Sequence, residues 1–369
     1  MTRIQSSEEY KRCLDRIADM DDDERIERIK SRLTKWSKDI GFELSKSEID
    51  ILPLLNKLLL VSSDAKQQDD ESSEVYRHAE YEALTGAILD GNDDGDFVRE
   101  ELSAKDFSVS GLKQVALLHK IREVRALVGF TRLDPPSSGK LGIPDADLGR
   151  FQCVKQPETN WYPGYEVRGE GIFLEFDNTT IEEWIASSPH ALAQAKKIND
   201  NVLRCGRSGV RNITPKFVFL HTLSHMLIRQ FSFECGYNSA SLRERIYCDI
   251  EHPEFPMCGL FIYTTSGDAE GTLGGLVRQG RSDCLPDVLK AAIAGAMWCS
   301  NDPVCIDSGG QGRDGLNMAA CHSCMLLPET SCEEYNVYLD RSLIVGKMLD
   351  RSTGYFTSWL NANNNGMLG

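Results

Sequence analysis

The sequence lacks a hydrophobic run long enough to span a membrane. Its longest apolar stretch, residues 51–61, is interrupted by Asn56 and Lys57, whereas a transmembrane helix needs about 20 predominantly apolar residues. The N-terminus also lacks the apolar core and the small-residue cleavage site of an export signal. Together these absences predict a cytoplasmic protein that does not act at a membrane.

Phosphate-binding motifs are absent as well. Residues 137–142, SSGKLG, lack the first glycine of a P-loop and the Ser or Thr that follows its lysine. The glycine-rich residues 266–275 match neither GxGxxG nor GxxxxGK[ST], and their acids Asp268 and Glu270 would repel a phosphate. We therefore expect a tight structural turn at 266–275 and no ATPase activity in this chain.

Positive charge is scarce, because the formal net charge is −15. This charge opposes nonspecific attraction of the whole chain to nucleic acid. It is unevenly distributed, since residues 64–101 hold thirteen acidic and three basic side chains, whereas residues 201–233 hold five basic side chains and no acid. Basic side chains there can contact backbone phosphates or simply face water. The predicted nucleic-acid contacts are Arg204, Arg207, Arg211 and Lys216.

The remaining composition is that of an ordinary folded protein, with 41% hydrophobic residues. Residues 7–61 combine apolar positions at helical spacing with alternating charges, and residues 62–74 are acidic and rich in serine. The sequence therefore predicts two parts. A helical N-terminal segment with an acidic linker occupies residues 1–75, and a mixed region occupies residues 76–369.

Patterns in the second part predict both strands and helices, and so an α+β fold. Strands are expected at 125–133, 165–177 and 258–266, and helices at 217–236 and 285–299. The spacing of Ser241 and Glu244 fits a helix capping box, although a strand after Arg245 is equally compatible with the sequence. The helix at 217–236 is apolar nearly all round, which predicts a buried central helix.

The strongest chemical signal comes from the C-terminal cysteines. CSNDPVC at 299–305 and CHSC at 321–324 each supply a pair of thiols, and two such pairs can complete a tetrahedral zinc site. The predicted ligands are Cys299, Cys305, Cys321 and Cys324, with Cys332 as a substitute for Cys299 or Cys305. An iron–sulfur cluster, a redox CxxC pair and inert core thiols are the alternatives.

His221 and His225 lie one helical turn apart and so share a face of the predicted central helix. Position 222 is Thr, so the glutamate of a metalloprotease helix is missing. We expect both histidines to be buried, hydrogen-bonded structural residues. The alternative is a metal site of a hydrolase or nuclease, completed by Asp268 or Glu270.

Six segments, taken in order, resemble the C-terminal part of the DrmB family, a component of the DISARM anti-phage system. The last of them also resemble the MrfA-type zinc-binding domain, here at about residues 215–345. The six segments are REVRALVGFTRLDP, YEVRGEGIFLEFD, HTLSHMLIRQFSFECGYNSASLRERIY, GLFIYTTSGDAEGTLGGL, CSNDPVC and AACHSCMLLPETSCEEYNVYLDRSLIVG.

The resemblance implies that the four cysteines hold zinc and that a DrmA-like helicase protein is the partner in a complex that engages DNA. It favours a noncatalytic, zinc-binding accessory subunit of an anti-phage defence complex, which helps that helicase bind DNA. Two alternatives remain. One is a metal-dependent hydrolase or nuclease that uses His221 and His225, and the other is a purely structural scaffold.

Overall fold

The computed structural model describes residues 76–87, 95–127, 129–131, 151–154, 161–205, 212–248, 256–264 and 274–364. These residues contain both helices and a five-stranded antiparallel sheet, so the predicted α+β class is confirmed. The predicted helical segment and acidic linker at 1–75 lie outside the described residues.

The main sheet has the strand order β1-β2-β5-β7-β6, and every neighbouring pair is antiparallel. Strands β3 and β4 form a separate two-stranded sheet. The strands are β1 (Val98–Ser103), β2 (Leu112–Ala126), β3 (Gly129–Thr131), β4 (Phe151–Cys153), β5 (Gly164–Phe176), β6 (Leu242–Cys248) and β7 (Cys258–Thr264).

Most of the described helices follow the long strand β5 in the chain. A helical segment at 76–85 precedes β1. The helices are α1 (Asn178–Ser187), α2 (Pro189–Arg204), α3 (Pro215–Cys235), α4 (Gly275–Gln279), α5 (Leu285–Ala296), α6 (Ser342–Val345) and α7 (Thr357–Asn364).

Helix α3 is defined at both ends by local chemistry. Pro215 occupies the first turn, and the side chain of Thr214 accepts a hydrogen bond from the backbone N–H of Phe217 at 3.2 Å. The helix ends at Gly236, whose φ of 72° lies in the left-handed region that favours glycine. In the part of the chain that the structure describes, no helix combines the length and the apolarity needed to cross a membrane.

Both faces of the sheet centre are covered. On β5, Ile172 and Leu174 belong to the main core with α3, whereas Phe173 packs on the opposite face with Tyr81 from segment 76–85. Full burial of each such side chain is worth roughly 1.5–3 kcal/mol. Because both faces are covered, every residue of β5 from Gly169 to Phe176 is buried, including Glu170 and Glu175.

Most predicted elements of this region are confirmed. Strands β5 and β7 occupy the segments predicted at 165–177 and 258–266, and helices α3 and α5 occupy those predicted at 217–236 and 285–299. The strand predicted at 125–133 is divided in the structure, because β2 begins at Leu112 and ends at Ala126, and the short strand β3 spans Gly129–Thr131.

The capping-box interpretation of Ser241 and Glu244 is wrong, because a strand begins at Leu242. Glu244 does not cap a helix, and its carboxylate instead accepts a hydrogen bond from Ser224 of α3. The partner of Glu244 thus lies on another element, and short-range spacing does not reveal it.

Candidate metal centres

Two groups of side chains within the described residues place potential metal ligands within 4.8 Å of one another. The first, which we call the four-cysteine cluster, contains the four cysteines predicted from the sequence. The second, which we call the mixed cluster, combines two histidines, a glutamate and a cysteine from distant parts of the chain. The mixed cluster comprises His221, His225, Glu244 and Cys332.

The four-cysteine cluster is built by two short turns after α5. The first turn carries Cys299 and Cys305, and its backbone N–H at Cys305 donates to the carbonyl of Asn301 at 2.9 Å. The second is the tight turn in which the N–H of Cys324 donates to the carbonyl of Cys321 at 3.2 Å. Each turn therefore presents a pair of thiols toward the other.

The sulfur separations have the dimensions of a tetrahedral site. The Sγ atoms of Cys299 and Cys321 are 3.5 Å apart, and Cys324 lies 3.7 Å from both Cys305 and Cys321. Four sulfurs at about 2.3 Å from a zinc ion stand roughly 3.8 Å from each other. The four side chains therefore fit a single tetrahedral metal ion.

Hydrogen-bond donors surround the sulfurs. The backbone N–H of Asn301 donates to Cys299 at 3.4 Å, and its side-chain amide donates to Cys321 at 3.3 Å. Hydrogen bonds from Cys324 and Gln311 outweigh the effect of burial and lower the pKa of Cys305 to about 5. The contact between Cys305 and Cys324, together with burial, raises the pKa of Cys324. The N–H donors of Asn301 and Gln311 stabilise the thiolate form that binds metal.

A buried ion pair holds the first turn in place. The carboxylate of Asp302 accepts hydrogen bonds from the backbone N–H groups of Cys299 at 2.9 Å and Ile306 at 3.1 Å. Arg341, which is fully buried, pairs with the same carboxylate and donates to the carbonyl of Ala296 at 2.7 Å. The turn is thereby attached to the end of α5 independently of the cysteines.

The mixed cluster joins three elements. His221 and His225 lie on α3, Glu244 lies on β6, and Cys332 follows a single 3-10 turn near the C-terminus. The Nε2 atom of His221 is 3.0 Å from Oε1 of Glu244 and 3.2 Å from Sγ of Cys332. The Nε2 atom of His225 is 3.5 Å from the same carboxylate oxygen.

Every member of the mixed cluster is buried, and both histidines are 0% exposed. The expectation that they are internal residues is therefore confirmed, and the sequence interpretation missed their neighbours Glu244 and Cys332. Burial raises the pKa of Glu244, but the adjacent histidines lower it more, so that it lies well below its usual range. Burial and the carboxylate of Glu244 raise the pKa of Cys332.

One signal in the sequence marks Glu244. It lies two residues from both Leu242 and Ile246, and these are buried core residues of the same strand. Side chains two apart on a strand share a face, so this glutamate is placed among apolar residues and needs a partner there. No comparable pattern marks Cys332, because its hydrogen-bond partner His221 is 111 residues away.

The alternative ligand set with Cys332 does not agree with the structure. Cys332 contacts His221 and lies in the mixed cluster, whereas Cys299 and Cys305 are grouped with Cys321 and Cys324. Substitution of Cys332 for either Cys299 or Cys305 is therefore wrong. The 3-10 turn that precedes Cys332 directs this thiol toward α3.

The predicted nucleic-acid contacts have different surroundings. Lys216 is buried, forms an ion pair with Glu182 of α1 at 2.9 Å and donates to the side chain of Asn178 at 2.9 Å, so its predicted contact with DNA is wrong. Arg204 is exposed at the end of α2 and hydrogen-bonds to the side chain of Asn201. Arg207 and Arg211 lie outside the described residues.

The tight structural turn predicted at residues 266–275 also lies largely outside the described part of the chain. This applies to Asp268 and Glu270, which the hydrolase alternative requires. Only the end of that segment, Gly274 and Gly275 at the start of α4, is described.

Comparison with known proteins agrees with this geometry. Residues 223–325 match the MrfA Zn-binding domain family, and this range contains the whole four-cysteine cluster. The chain is 33% identical over 308 residues to the DISARM protein DrmB of Bacillus paralicheniformis, an alignment that covers 81% of this chain and 52% of that relative. The chain thus spans about half the length of this curated relative. The predicted resemblance to DrmB, with an MrfA-type zinc-binding domain, is confirmed.

Proposed function

We propose that this protein is a noncatalytic, zinc-binding accessory subunit of a cytoplasmic anti-phage defence complex, in which it helps a DrmA-like helicase bind DNA. One observation carries the proposal. Four cysteines with the spacing of a tetrahedral zinc site lie inside the segment that matches the MrfA Zn-binding domain, in a chain similar to a DISARM protein.

The donor set of the four-cysteine cluster favours Zn²⁺ in a structural role. Four thiolates suit zinc, and four protein ligands leave no position for a water or a substrate. The ion would join the turn at Cys299 and Cys305 to the turn at Cys321 and Cys324. Its binding free energy then contributes to the stability of residues 299–324.

Metal analysis of the purified protein tests this role. Cys324→Ser is expected to lose one zinc per chain and to unfold at a lower temperature, because one of four ligands is gone. Cys205→Ser is the matched control, since Cys205 is an exposed thiol outside both clusters. Unchanged zinc content in both Cys321→Ser and Cys324→Ser would contradict the assignment.

The surroundings of the histidine pair support a noncatalytic role. Catalytic zinc sites hold three protein ligands and leave a position open to water. His221 and His225 are instead fully buried, and Cys332 lies where a fourth ligand would be. We expect the purified subunit to leave DNA uncut with Mg²⁺, Mn²⁺ or Zn²⁺. Metal-dependent cleavage that His225→Gln abolishes would instead support the hydrolase alternative.

DNA contact is assigned to the arginines of residues 204–211, which begin with the exposed Arg204 at the end of α2. With Lys216 removed from the set, the proposed contacts are Arg204, Arg207 and Arg211. Because the chain carries a net charge of −15, its own affinity for DNA should be weak and should decrease steeply with salt. Useful affinity is then expected only with a helicase partner that supplies further phosphate contacts.

The experiment compares DNA binding by the subunit–helicase complex over a series of salt concentrations. Reversal of Arg207 and Arg211 to Glu should weaken binding about equally for all sequences and reduce the salt slope by about one for each lost phosphate contact. Arg278→Glu is the control, because Arg278 is an exposed arginine on α4 that pairs with Asp283. Unchanged affinity and slope in the double variant would favour the scaffold alternative.

A further inference from the structure

We propose that the mixed cluster binds a second Zn²⁺, separate from the ion of the four-cysteine cluster. The ligand atoms are Nε2 of His221, Nε2 of His225, a carboxylate oxygen of Glu244 and Sγ of Cys332. The inference rests on the described contacts of these four side chains and does not depend on the proposed role in defence.

The four ligand atoms converge on one point. All lie within 4.8 Å of one another, and the recorded separations around His221 and Glu244 are 3.0 to 3.5 Å. Zinc binds nitrogen and oxygen at about 2.0–2.2 Å and sulfur at about 2.3 Å, which puts neighbouring ligands roughly 3.2–3.7 Å apart. The cluster is therefore close to the size that an ion requires.

The hydrogen bond of His225 to Met325 indicates which ring nitrogen carries the hydrogen. Its Nδ1 atom lies 2.9 Å from the carbonyl oxygen of Met325, which can only accept, so the hydrogen is on Nδ1. In the neutral ring, the lone pair of Nε2 then faces the carboxylate of Glu244, and within the described part of the chain this nitrogen has no hydrogen-bond partner. A cation between these two acceptors satisfies both.

Cys332 has the surroundings of a metal-binding thiolate. Its sulfur accepts backbone N–H groups from Glu334 at 3.3 Å and Asn336 at 3.2 Å. In the four-cysteine cluster, Cys299 likewise accepts the N–H of the residue two positions later, Asn301. Donors directed at sulfur in this way stabilise its negative charge and orient the thiolate toward the other ligands of the cluster.

The carboxylate of Glu244 is held from both sides. One oxygen accepts a hydrogen bond from the hydroxyl of Ser224, and the other accepts the backbone N–H of Glu333 at 3.2 Å. The second oxygen is also the one nearest to His221 and His225. The carboxylate is therefore fixed with this oxygen toward the imidazoles, as a metal ligand must be.

Charge provides an independent argument. Two neutral imidazoles, one carboxylate and one thiolate carry two negative charges, which a Zn²⁺ ion neutralises. A neutral site suits this location, because both histidines are 0% exposed and Glu244 is 3% exposed. Four protein ligands and complete burial leave no open position, so the ion would be structural and would tie α3 to β6 and to the segment at Cys332.

This site differs from the one that the family match accounts for. His221 and Cys332 lie outside the matched residues 223–325, whereas all four cysteines of the other cluster lie inside. The two clusters are nevertheless joined through the backbone. Met325, whose carbonyl orients His225, directly follows Cys324.

The first experiment uses the unaltered protein. Elemental analysis should find two zinc ions per chain, and X-ray absorption at the zinc edge should show five sulfur and three nitrogen or oxygen ligands shared by the two ions. One zinc per chain with four sulfur ligands would overturn the second site and leave the four-cysteine assignment intact. One zinc per chain with mixed ligands would support the second site and contradict the four-cysteine assignment.

Variants assign each ion to its cluster. His225→Gln and Glu244→Gln should each reduce the zinc content from two to one and leave an all-sulfur absorption spectrum, whereas Cys324→Ser should leave the mixed spectrum. His190→Gln is the matched control, because His190 is partly buried and bonds to Ser342 at 2.8 Å outside both clusters. Two zinc ions in folded His225→Gln and Glu244→Gln would overturn the proposal, and the spectrum of the unaltered protein decides it even if these variants do not fold.

Discussion

The four-cysteine cluster and the mixed cluster show two ways to place charged ligands in a folded protein. Four thiolates around Zn²⁺ keep a net charge of about −2, whereas the mixed ligand set is neutral with the same ion. The first set includes the half-buried Cys321 and Cys324, together with N–H donors and the nearby cation of Arg341. The mixed ligand set is buried more deeply, since both of its histidines are fully buried. The charge of the ligand set thus matches the polarity of its surroundings.

The two clusters also differ in what supports their ligands. The four-cysteine cluster depends on short turns and on the Asp302–Arg341 ion pair beside them. The mixed cluster depends on the contact between a helix and a strand, with Ser224 of α3 bonded to Glu244 of β6. Changes to these supports therefore test the two clusters separately.

The largest effect is expected from Arg341→Met, which leaves Asp302 buried without its cation. Loss of one partner of a buried ion pair typically lowers the free energy of unfolding by about 3–5 kcal/mol. Zinc should also dissociate more readily from the four-cysteine cluster, since Asp302 orients the backbone at Cys299. Chemical denaturation and zinc titration measure both effects.

Arg313→Met is the control for Arg341→Met. Arg313 is exposed and lies 3.9 Å from the carboxylate of Asp314, so the loss of its charge should change stability by less than about 1 kcal/mol. Equal effects of the two substitutions would show that the buried ion pair does not support the turn.

A smaller effect is expected from Ser224→Ala, which removes the hydroxyl donor to Glu244. An unsatisfied buried acceptor costs about 1–3 kcal/mol, and zinc affinity of the mixed cluster should fall by roughly 10–100-fold. The four-cysteine cluster should keep its affinity. Competition with a chromophoric chelator measures the two affinities in one titration.

Ser232→Ala is the control on the same helix. The hydroxyl of Ser232 has no hydrogen-bond partner among the residues that the structure describes, so its removal should leave both zinc affinities unchanged. A loss of affinity confined to the four-cysteine cluster in Ser224→Ala would contradict the assignment of Ser224 to the mixed cluster.

Chelation of the unaltered protein should show a difference in rate. Release from the fully buried mixed cluster requires local opening, whereas Cys321 and Cys324 are half-buried. An added opening free energy of about 1.4 kcal/mol makes release roughly tenfold slower. Stopped-flow mixing with excess chelator should show two phases, and Glu244→Gln should lack the slow one. A single phase with the full two-ion amplitude would contradict this difference.

The smallest effect is expected from Asn301→Ala. Its side-chain amide donates to Cys321 at 3.3 Å near the surface. The loss of this hydrogen bond should weaken zinc binding by about 0.5–1.5 kcal/mol. The change should appear in the zinc affinity of the four-cysteine cluster alone. An effect of this variant on the mixed cluster would show that the two sites are not independent.

The predictability of the two clusters follows from the distances along the chain. The cysteines of the first lie at 299–324, so their spacing alone indicates a metal site. The second requires β6 to pack against α3 in one register, and residue spacing does not contain that information. The pattern around Glu244 indicates only that a carboxylate points inward, and it leaves the partner unknown.

The same limit explains the interpretation of Lys216. The segment around it contains no acid, which suggested an exposed basic surface, but Glu182 approaches from α1. The distribution of apolar residues was sufficient for β5 and α3, because it reflects burial within one element. Pairing between elements determines which charged groups remain free, and it is set by the tertiary fold.

The chain separation between His221 and Cys332 has a consequence for protein synthesis. The ribosome completes the four cysteines when residue 324 has been added, and the mixed cluster needs Cys332 as well. Closing the 111-residue separation costs about 1.3 kcal/mol more loop entropy than closing the 25 residues from 299 to 324. We therefore expect a nascent chain to assemble its sulfur site first. The contact of α3 with the segment at Cys332 forms only in a chain translated past that residue.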